Sequence, residues 1–210
     1  MTAVDTMALA QAERTDLVEL LATFTPQQWE APTLCAGWRV RDVIAHMFSY
    51  EDLGFGGTIG RFVRGGLRLD RVNALGVAAH ADDTPAELLA LARRHLRPRG
   101  LTANFKGQIA LTDAMIHHQD IRRPLGLPRE IPPDRLRAAL NFGRTAPPLR
   151  SVPRIRGLRL VATDLDWSSG DGPVVEGPAE TLLMALAGRK GLEDELSGPG
   201  LSTLAARISA

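Results

Sequence analysis

Apolar residues recur at helical spacing over the first two thirds of the chain, and the pattern changes to alternation after residue 150. Between Thr6 and Phe24, Leu9, Glu13, Leu17, Leu20, Leu21 and Phe24 form a mostly apolar stripe with charged residues opposite, predicting an amphipathic helix. Thr25-Pro26-Gln27-Gln28 then restarts the chain as N-cap, first-position proline and capping-box glutamine, predicting a short turn to Trp29. Ala31 to Trp38, punctuated by proline and glycine, is a loop. It leads into a helix whose apolar face, Val40, Val43, Ile44 and Met47, carries His46 inward. Thr84-Pro85-Ala86-Glu87 repeats the capping signature and opens a helix through Leu88, Leu89, Leu91 and Leu96, with His95 expected at the surface near its basic end. A fourth helix runs from about Phe105 to Arg123, where Pro124 and Gly126 stop it.

Between the second and third of these helices, Gly54 to Gly66 reads as a mobile loop. It is not a phosphate cradle, because Ile59 stands where the third glycine of G-x-G-x-x-G would fall and no G-K-[ST] follows. Arg61, Arg64, Arg68 and Arg71 recur every three or four residues, either as a solvated arginine face or as a basic face for an anion. Leu136, Ala139, Leu140 and Phe142 predict a short helix ending at Thr145-Ala146-Pro147-Pro148, a linker. Gly157 to Asp164 alternates like a half-buried strand, and a turn over Ser168 to Pro173 leads to a second strand near Val174-Val175-Glu176. Gly177-Pro178 opens a helix through Leu182, Leu183 and Leu186 that ends at Gly188-Arg189, and Leu201, Leu204 and Ile208 mark a last one. The expected fold is mainly α: a four-helix bundle over residues 1–148, then a small α+β domain over 149–210. A unit of about 60 residues buries little surface for its size and is expected to pack on the bundle.

Composition narrows the function classes. At 210 residues, 44% hydrophobic and with a net charge of +1, the chain has no global charge to recruit nucleic acid. Lysine occurs only at Lys106 and Lys190, so 23 of the 25 basic residues are arginine, which hints at a high-GC bacterium. The single cysteine, Cys35, excludes an internal disulfide framework and suits a reducing cytoplasm. Asp5, Glu13 and Arg14 interrupt any signal-peptide core, and no run of about 18 apolar residues could span a membrane. A cytoplasmic protein with neither nucleic acid nor membrane as partner is expected.

The densest chemistry lies in Thr112 to Gly126. On a helix, Asp113, His117 and Asp120 fall at i, i+4 and i+7, on one face. A carboxylate and an imidazole one turn apart can share a divalent metal; the same pair also occurs at capped or salt-bridged helix ends. Four packed helices enclose an interior in which such sites are built from facing side chains, and His46 is the best source of a third ligand. Asp120 could orient the His117 ring or pair with Arg123. His118 sits about 100° round the helix and is not expected to ligate. Cys35 reads as a small packed hydrophobe, with a nucleophile or fourth ligand as the alternative. Trp29 and Trp38 pin the loop to the core, or Trp38 lines a pocket.

Trp29-Glu30-Ala31-Pro32-Thr33-Leu34-Cys35-Ala36-Gly37-Trp38 with Asp42-Val43-Ile44-Ala45-His46, then Asp113-x-x-x-His117-x-x-Asp120 with Leu125-Gly126, then Gly177-Pro178-Ala179-Glu180 running to Gly188-Arg189, resemble the maleylpyruvate isomerase family of mycothiol-dependent enzymes. That family lies within the larger DinB-like group of metal-binding helical bundles. The resemblance implies an actinobacterial S-transferase or isomerase, monomeric or dimeric. It would hold a divalent metal, zinc first, on His46, Asp113 and His117, use mycothiol as co-substrate and act on a small electrophile, with Arg189 steadying an anionic substrate. The family commonly places glutamate where this chain has Asp113. The shorter side chain keeps open a second reading, a non-catalytic DinB-like ligand-binding or interaction protein with a weakened metal site.

Overall fold

The computed structural model describes residues 4–209. The chain divides into two compact units, Met1–Arg129 and Glu130–Ala210. In the first, the helices are α1 (Thr6–Leu21), α2 (Pro26–Trp29), α3 (Val40–Phe48), α4 (Phe55–Arg64), α5 (Leu69–Ala78), α6 (Pro85–Arg94) and α7 (Gln108–Arg122). Helices α1, α3, α6 and α7 form the expected four-helix bundle: α1 packs on α6 and α7, and α3 packs on the same two. Its core is built from Leu17, Leu21, Val43, Ile44, Met47, Phe48, Leu88, Ala114 and Ile121, all at most 1% exposed.

Local signals place these helices. Asp5 caps α1 by accepting from the amides of Met7 and Ala8. Reciprocal capping boxes start α2, between Thr25 and Gln28, and α6, between Thr84 and Glu87, as the spacing predicts. The α1 face that turns inward includes Glu13 and Arg14, fully buried charges that need partners. Arg14 Nη2 donates to Glu51 Oε1 at 2.6 Å and Nη1 to the His95 carbonyl at 2.8 Å. Glu51 also accepts from Thr102 Oγ1 and the Arg99 amide, at 2.5 and 2.8 Å. This knot draws the chain after α6 inward. His95 is therefore buried, not at the surface as expected, and its Nε2 lies 2.9 Å from Asp52 Oδ1.

Residues 54–66 also depart from expectation. They are not a loop: Phe55–Arg64 is helix α4, anchored through Arg61, its one buried residue. Glycine content signals low helix propensity, but Arg61 donates to Ser49 Oγ at 2.9 Å and to the Ser49 carbonyl at 3.0 Å, holding α4 against the end of α3. Arg61, Arg64, Arg68 and Arg71 do not form one face, since Arg64 ends α4 while Arg68 caps α5 and Arg71 lies within it.

In the second unit, α8 (Pro133–Gly143) and α9 (Ser151–Ile155) precede β1 (Arg159–Ala162), β2 (Ser168–Ser169) and β3 (Val174–Gly177), followed by α10 (Ala179–Leu186) and α11 (Leu201–Ser209). Helix α8 packs on α10. The division between units therefore falls at 129/130 and not at Pro147-Pro148. The sheet order is β2-β1-β3, with β1 antiparallel to β2 and parallel to β3. Ser168 and Ser169, expected in a turn, pair as a short edge strand with Val161 and Leu160. Asp164 Oδ1 caps α10 by accepting from the Ala179 amide at 2.7 Å.

Candidate metal centre

Helix α7 is buried on nearly all sides. From Ala110 to Ile121 only Asp113 reaches partial exposure, so the one opening in this stretch lies at its carboxylate. Polar side chains packed in such a helix must find partners, and His117, His118, Gln119 and Asp120 all do. One turn beyond Asp113 the His117 ring stands edge-on to that of His46 from α3, with ring centroids 5.0 Å apart at 81°. Asp113 Oδ1 lies 3.5 Å from His117 Nε2 and 3.8 Å from His46 Nε2. The three donor atoms lie within 4.8 Å of one another.

Asp120, fully buried one turn further on, accepts from His117 Nδ1 at 2.9 Å. A carboxylate accepts only, so the Nδ1 proton is fixed and Nε2 is the nitrogen aimed at Asp113. Asp120 thus meets the imidazole, the first of the two roles its position on the helix allows. Its Oδ2 also receives the Cys35 thiol at 3.1 Å, and Cys35 Sγ is 3.6 Å from His117 Nδ1. The Leu34 amide donates to the Asp120 carbonyl at 3.1 Å, so the whole 31–38 loop is pinned to α7 at this residue. Cysteine in that loop makes a polar contact beneath the triad and is more than a packed hydrophobe.

Trp29 is buried and pins the loop, while Trp38 is half-buried with its ring 5.0 Å from that of His46. Tyr50, which sequence reasoning missed, stands edge-on to His46 at 6.2 Å, carries Arg61 over its ring at 5.0 Å, and donates to Asn73 Oδ1 at 2.7 Å. Its signal was the spacing of four residues from His46, obscured because α3 ends at Phe48. His118 points to a separate knot: Nδ1 faces Glu13 Oε1 at 3.0 Å and Nε2 accepts from Arg122 Nε at 2.8 Å. Arg189 lies beyond the end of α10, half-buried, and donates to the Ala187 carbonyl at 3.4 Å.

The electrostatics favour positive charge between the ligands. Burial opposes the Asp113 carboxylate, yet the imidazoles of His117 and His46 outweigh it and hold its carboxyl far below the usual range. Burial likewise opposes a charged His117, but Asp113, Asp120 and Cys35 together raise it well above the ordinary histidine value. A divalent cation meets the same field. Tetrahedral donors at bonds of about 2.0–2.2 Å stand roughly 3.3–3.6 Å apart, close to the two separations from Asp113, so the residues fit such an ion.

Residues 10–100 match the family model of the mycothiol maleylpyruvate isomerase N-terminal domain. The match takes in His46 and the tryptophan-flanked loop and ends before α7. Along its length the chain is also similar to two solved structures, the mycothiol-dependent maleylpyruvate isomerase (TM-score 0.54, 14% identity) and a histidine-to-alanine mutant of the mycothiol-dependent maleylpyruvate isomerase (TM-score 0.57, 15% identity). In each case the likeness covers 92% of this chain and 91% of the other, and at this identity it is one of fold. No curated protein matches the chain.

Proposed function

We propose that this chain is a metal-dependent enzyme that activates a low-molecular-weight thiol, mycothiol by the family resemblance, against a small electrophile. The observation that carries the reading is the His46–Asp113–His117 triad, with Asp113 its most exposed member and with His117 oriented from behind by Asp120. His46 Nε2, Asp113 Oδ1 and His117 Nε2 would hold a divalent ion, zinc being the first candidate for a set of two imidazoles and a carboxylate. When bound, such an ion stabilises the deprotonated form of a thiol and so supplies a nucleophile at neutral pH. Three protein ligands leave room for it.

The chain's own residues do the rest. Asp120 keeps the Nδ1 proton of His117 and with it the ring orientation. Trp38 and Tyr50 flank His46 and fix its plane. Arg189 is proposed to hold a substrate carboxylate. Thiolate addition to an activated double bond, followed by rotation and loss of the thiolate, isomerises the bond; a displacement without return leaves an S-conjugate. Asp113 contacts both imidazoles despite being one methylene shorter than glutamate, which favours the enzyme over the non-catalytic reading.

Elemental analysis of purified protein and of His46→Ala and His117→Ala variants tests the site, with about one equivalent of metal expected in the parent and little in either variant. Turnover of maleylpyruvate and a panel of electrophiles, with and without mycothiol, tests the chemistry. Turnover that proceeds equally without thiol sinks both the transferase and the isomerase. Arg189→Ala is expected to raise KM for carboxylate substrates while leaving bound metal unchanged.

A further inference from the structure

Helix α4 is inverted relative to the rest of the first unit: its single buried residue is an arginine, and three of its four large apolar side chains point to solvent, Phe62 being half-buried. Phe55, Ile59 and Val63 are 85%, 48% and 66% exposed, and Leu67 and Leu69, just beyond, are 74% and 42% exposed. At 100° per residue, steps of four drift by about 40°, so Phe55, Ile59 and Val63 form one continuous arc. Arg61 lies on the other side, tied to Ser49 and Tyr50, which fixes the arc outward. Of the eight large hydrophobics exposed among the described residues, five belong to this arc and its extension. Scattered apolar residues need no explanation, whereas a contiguous patch does.

The chemistry around the arc identifies what covers it. No acidic residue lies between Leu53 and Leu69, while Arg64, Arg68 and Arg71 are exposed beside it. Only Arg68 has a local carboxylate, Asp70 at 2.9 Å. The five side chains expose on the order of 500 Å², toward the upper end of the apolar patch a typical monomer carries. A second copy would bring three more arginines against one carboxylate, Asp70, which is already paired with Arg68. An apolar arc with arginines around it and three glycines in its helix is the composition of a segment lying in a lipid interface, where the rings and aliphatic chains enter the acyl boundary and the guanidiniums meet lipid phosphates.

We infer that α4 and the α4–α5 turn form a docking surface for an anionic lipid bilayer, so that the protein associates peripherally with membranes. No helix among the described residues is long and apolar enough to cross a membrane, and none is needed. The surface uses none of the candidate metal ligands.

The test is co-sedimentation of the full chain with vesicles of equal parts phosphatidylglycerol and phosphatidylcholine, against vesicles of phosphatidylcholine alone. Binding to the anionic vesicles is expected to exceed that to the neutral ones by at least roughly tenfold and to weaken with salt. The double variant Phe55→Ser/Val63→Ser, altered only at exposed positions, should lose binding by a similar factor with unchanged circular dichroism. Arg64→Glu, which leaves the arc intact, should weaken binding to the anionic vesicles. Failure to sediment with anionic vesicles overturns the inference, and so does undiminished binding by the double variant. Sedimentation of the free protein as a dimer that the double variant dissociates would assign the surface to a second copy and overturn it equally.

Discussion

Asp120 accepts two donors on one oxygen, the His117 Nδ1–H at 2.9 Å and the Cys35 thiol at 3.1 Å, and the two differ in what their loss does. The imidazole bond fixes which nitrogen reaches the metal, so Asp120→Ala frees the His117 ring to rotate and leaves its Nδ1 proton only the weakly accepting Cys35 sulfur at 3.6 Å. Metal affinity is expected to fall about 10- to 100-fold, the usual effect of removing such a partner. Cys35→Ser keeps a donor in place of the thiol, so it should retain metal within a factor of about two or three of the parent. Isothermal titration of the two variants with zinc separates these outcomes. A Cys35→Ser protein that loses metal as completely as His117→Ala would make the sulfur a ligand and the triad incomplete. The pairing of Asp113 with His117 was legible in sequence because helical spacing alone aligns them. The Cys35 contact was not, because it joins a loop to a helix 85 positions away.

At the scale of elements, capping and periodicity located the four bundle helices and the short α2, since Thr25, Thr84 and the apolar faces act locally and the bundle packing agrees with them. Helix α4 escaped notice for the opposite reason. Its glycines argue against helix, and the anchor that makes it one, Arg61 to Ser49, is a tertiary contact that no local pattern reports. His95 likewise reads as a surface residue until Arg14, from another helix, takes its carbonyl. Two glycines make this competition measurable. A Cβ at Gly60 in α4 meets nothing within 4 Å, so Gly60→Ala should stabilise by about 0.5–1 kcal/mol through helix propensity. A Cβ at Gly76 in α5 would come 2.4 Å from Ser49 Oγ and 3.0 Å from Arg61 Nη1, displacing the anchor itself. Gly76→Ala should therefore destabilise by about 1–3 kcal/mol despite the same gain in propensity. Urea unfolding of both variants decides the point, and equal effects of one sign would show that α4 is not held through Ser49.

At the scale of the whole molecule, the candidate ligands and the knot that supports α7 fall on one side of the division, since His46, Asp113, His117, Asp120 and Cys35 all belong to Met1–Arg129. Its last residue matters. Arg129 Nη2 donates to Glu13 Oε1 at 2.6 Å, and Glu13 also faces His118. Burial would raise the Glu13 carboxyl, yet His118 and Arg129 bring it down to about 2, while burial lowers His118 to about 4, so near neutral pH the knot is a carboxylate, a neutral imidazole and a guanidinium. A chain ending after Arg129 keeps this arrangement, whereas one ending after Gly126 removes the Arg129 guanidinium from the buried Glu13 carboxylate, a loss worth up to about 3–5 kcal/mol. Residues 1–129 are therefore expected to melt cooperatively and to bind zinc as the full chain does, and residues 1–126 to melt at lower temperature or not fold. Thermal denaturation and zinc titration of both fragments check this. If Arg189 steadies the substrate, the longer fragment should hold metal and yet turn over carboxylate substrates poorly, which separates holding the ion from using it; a fragment 1–129 with full turnover would remove Arg189 from the site.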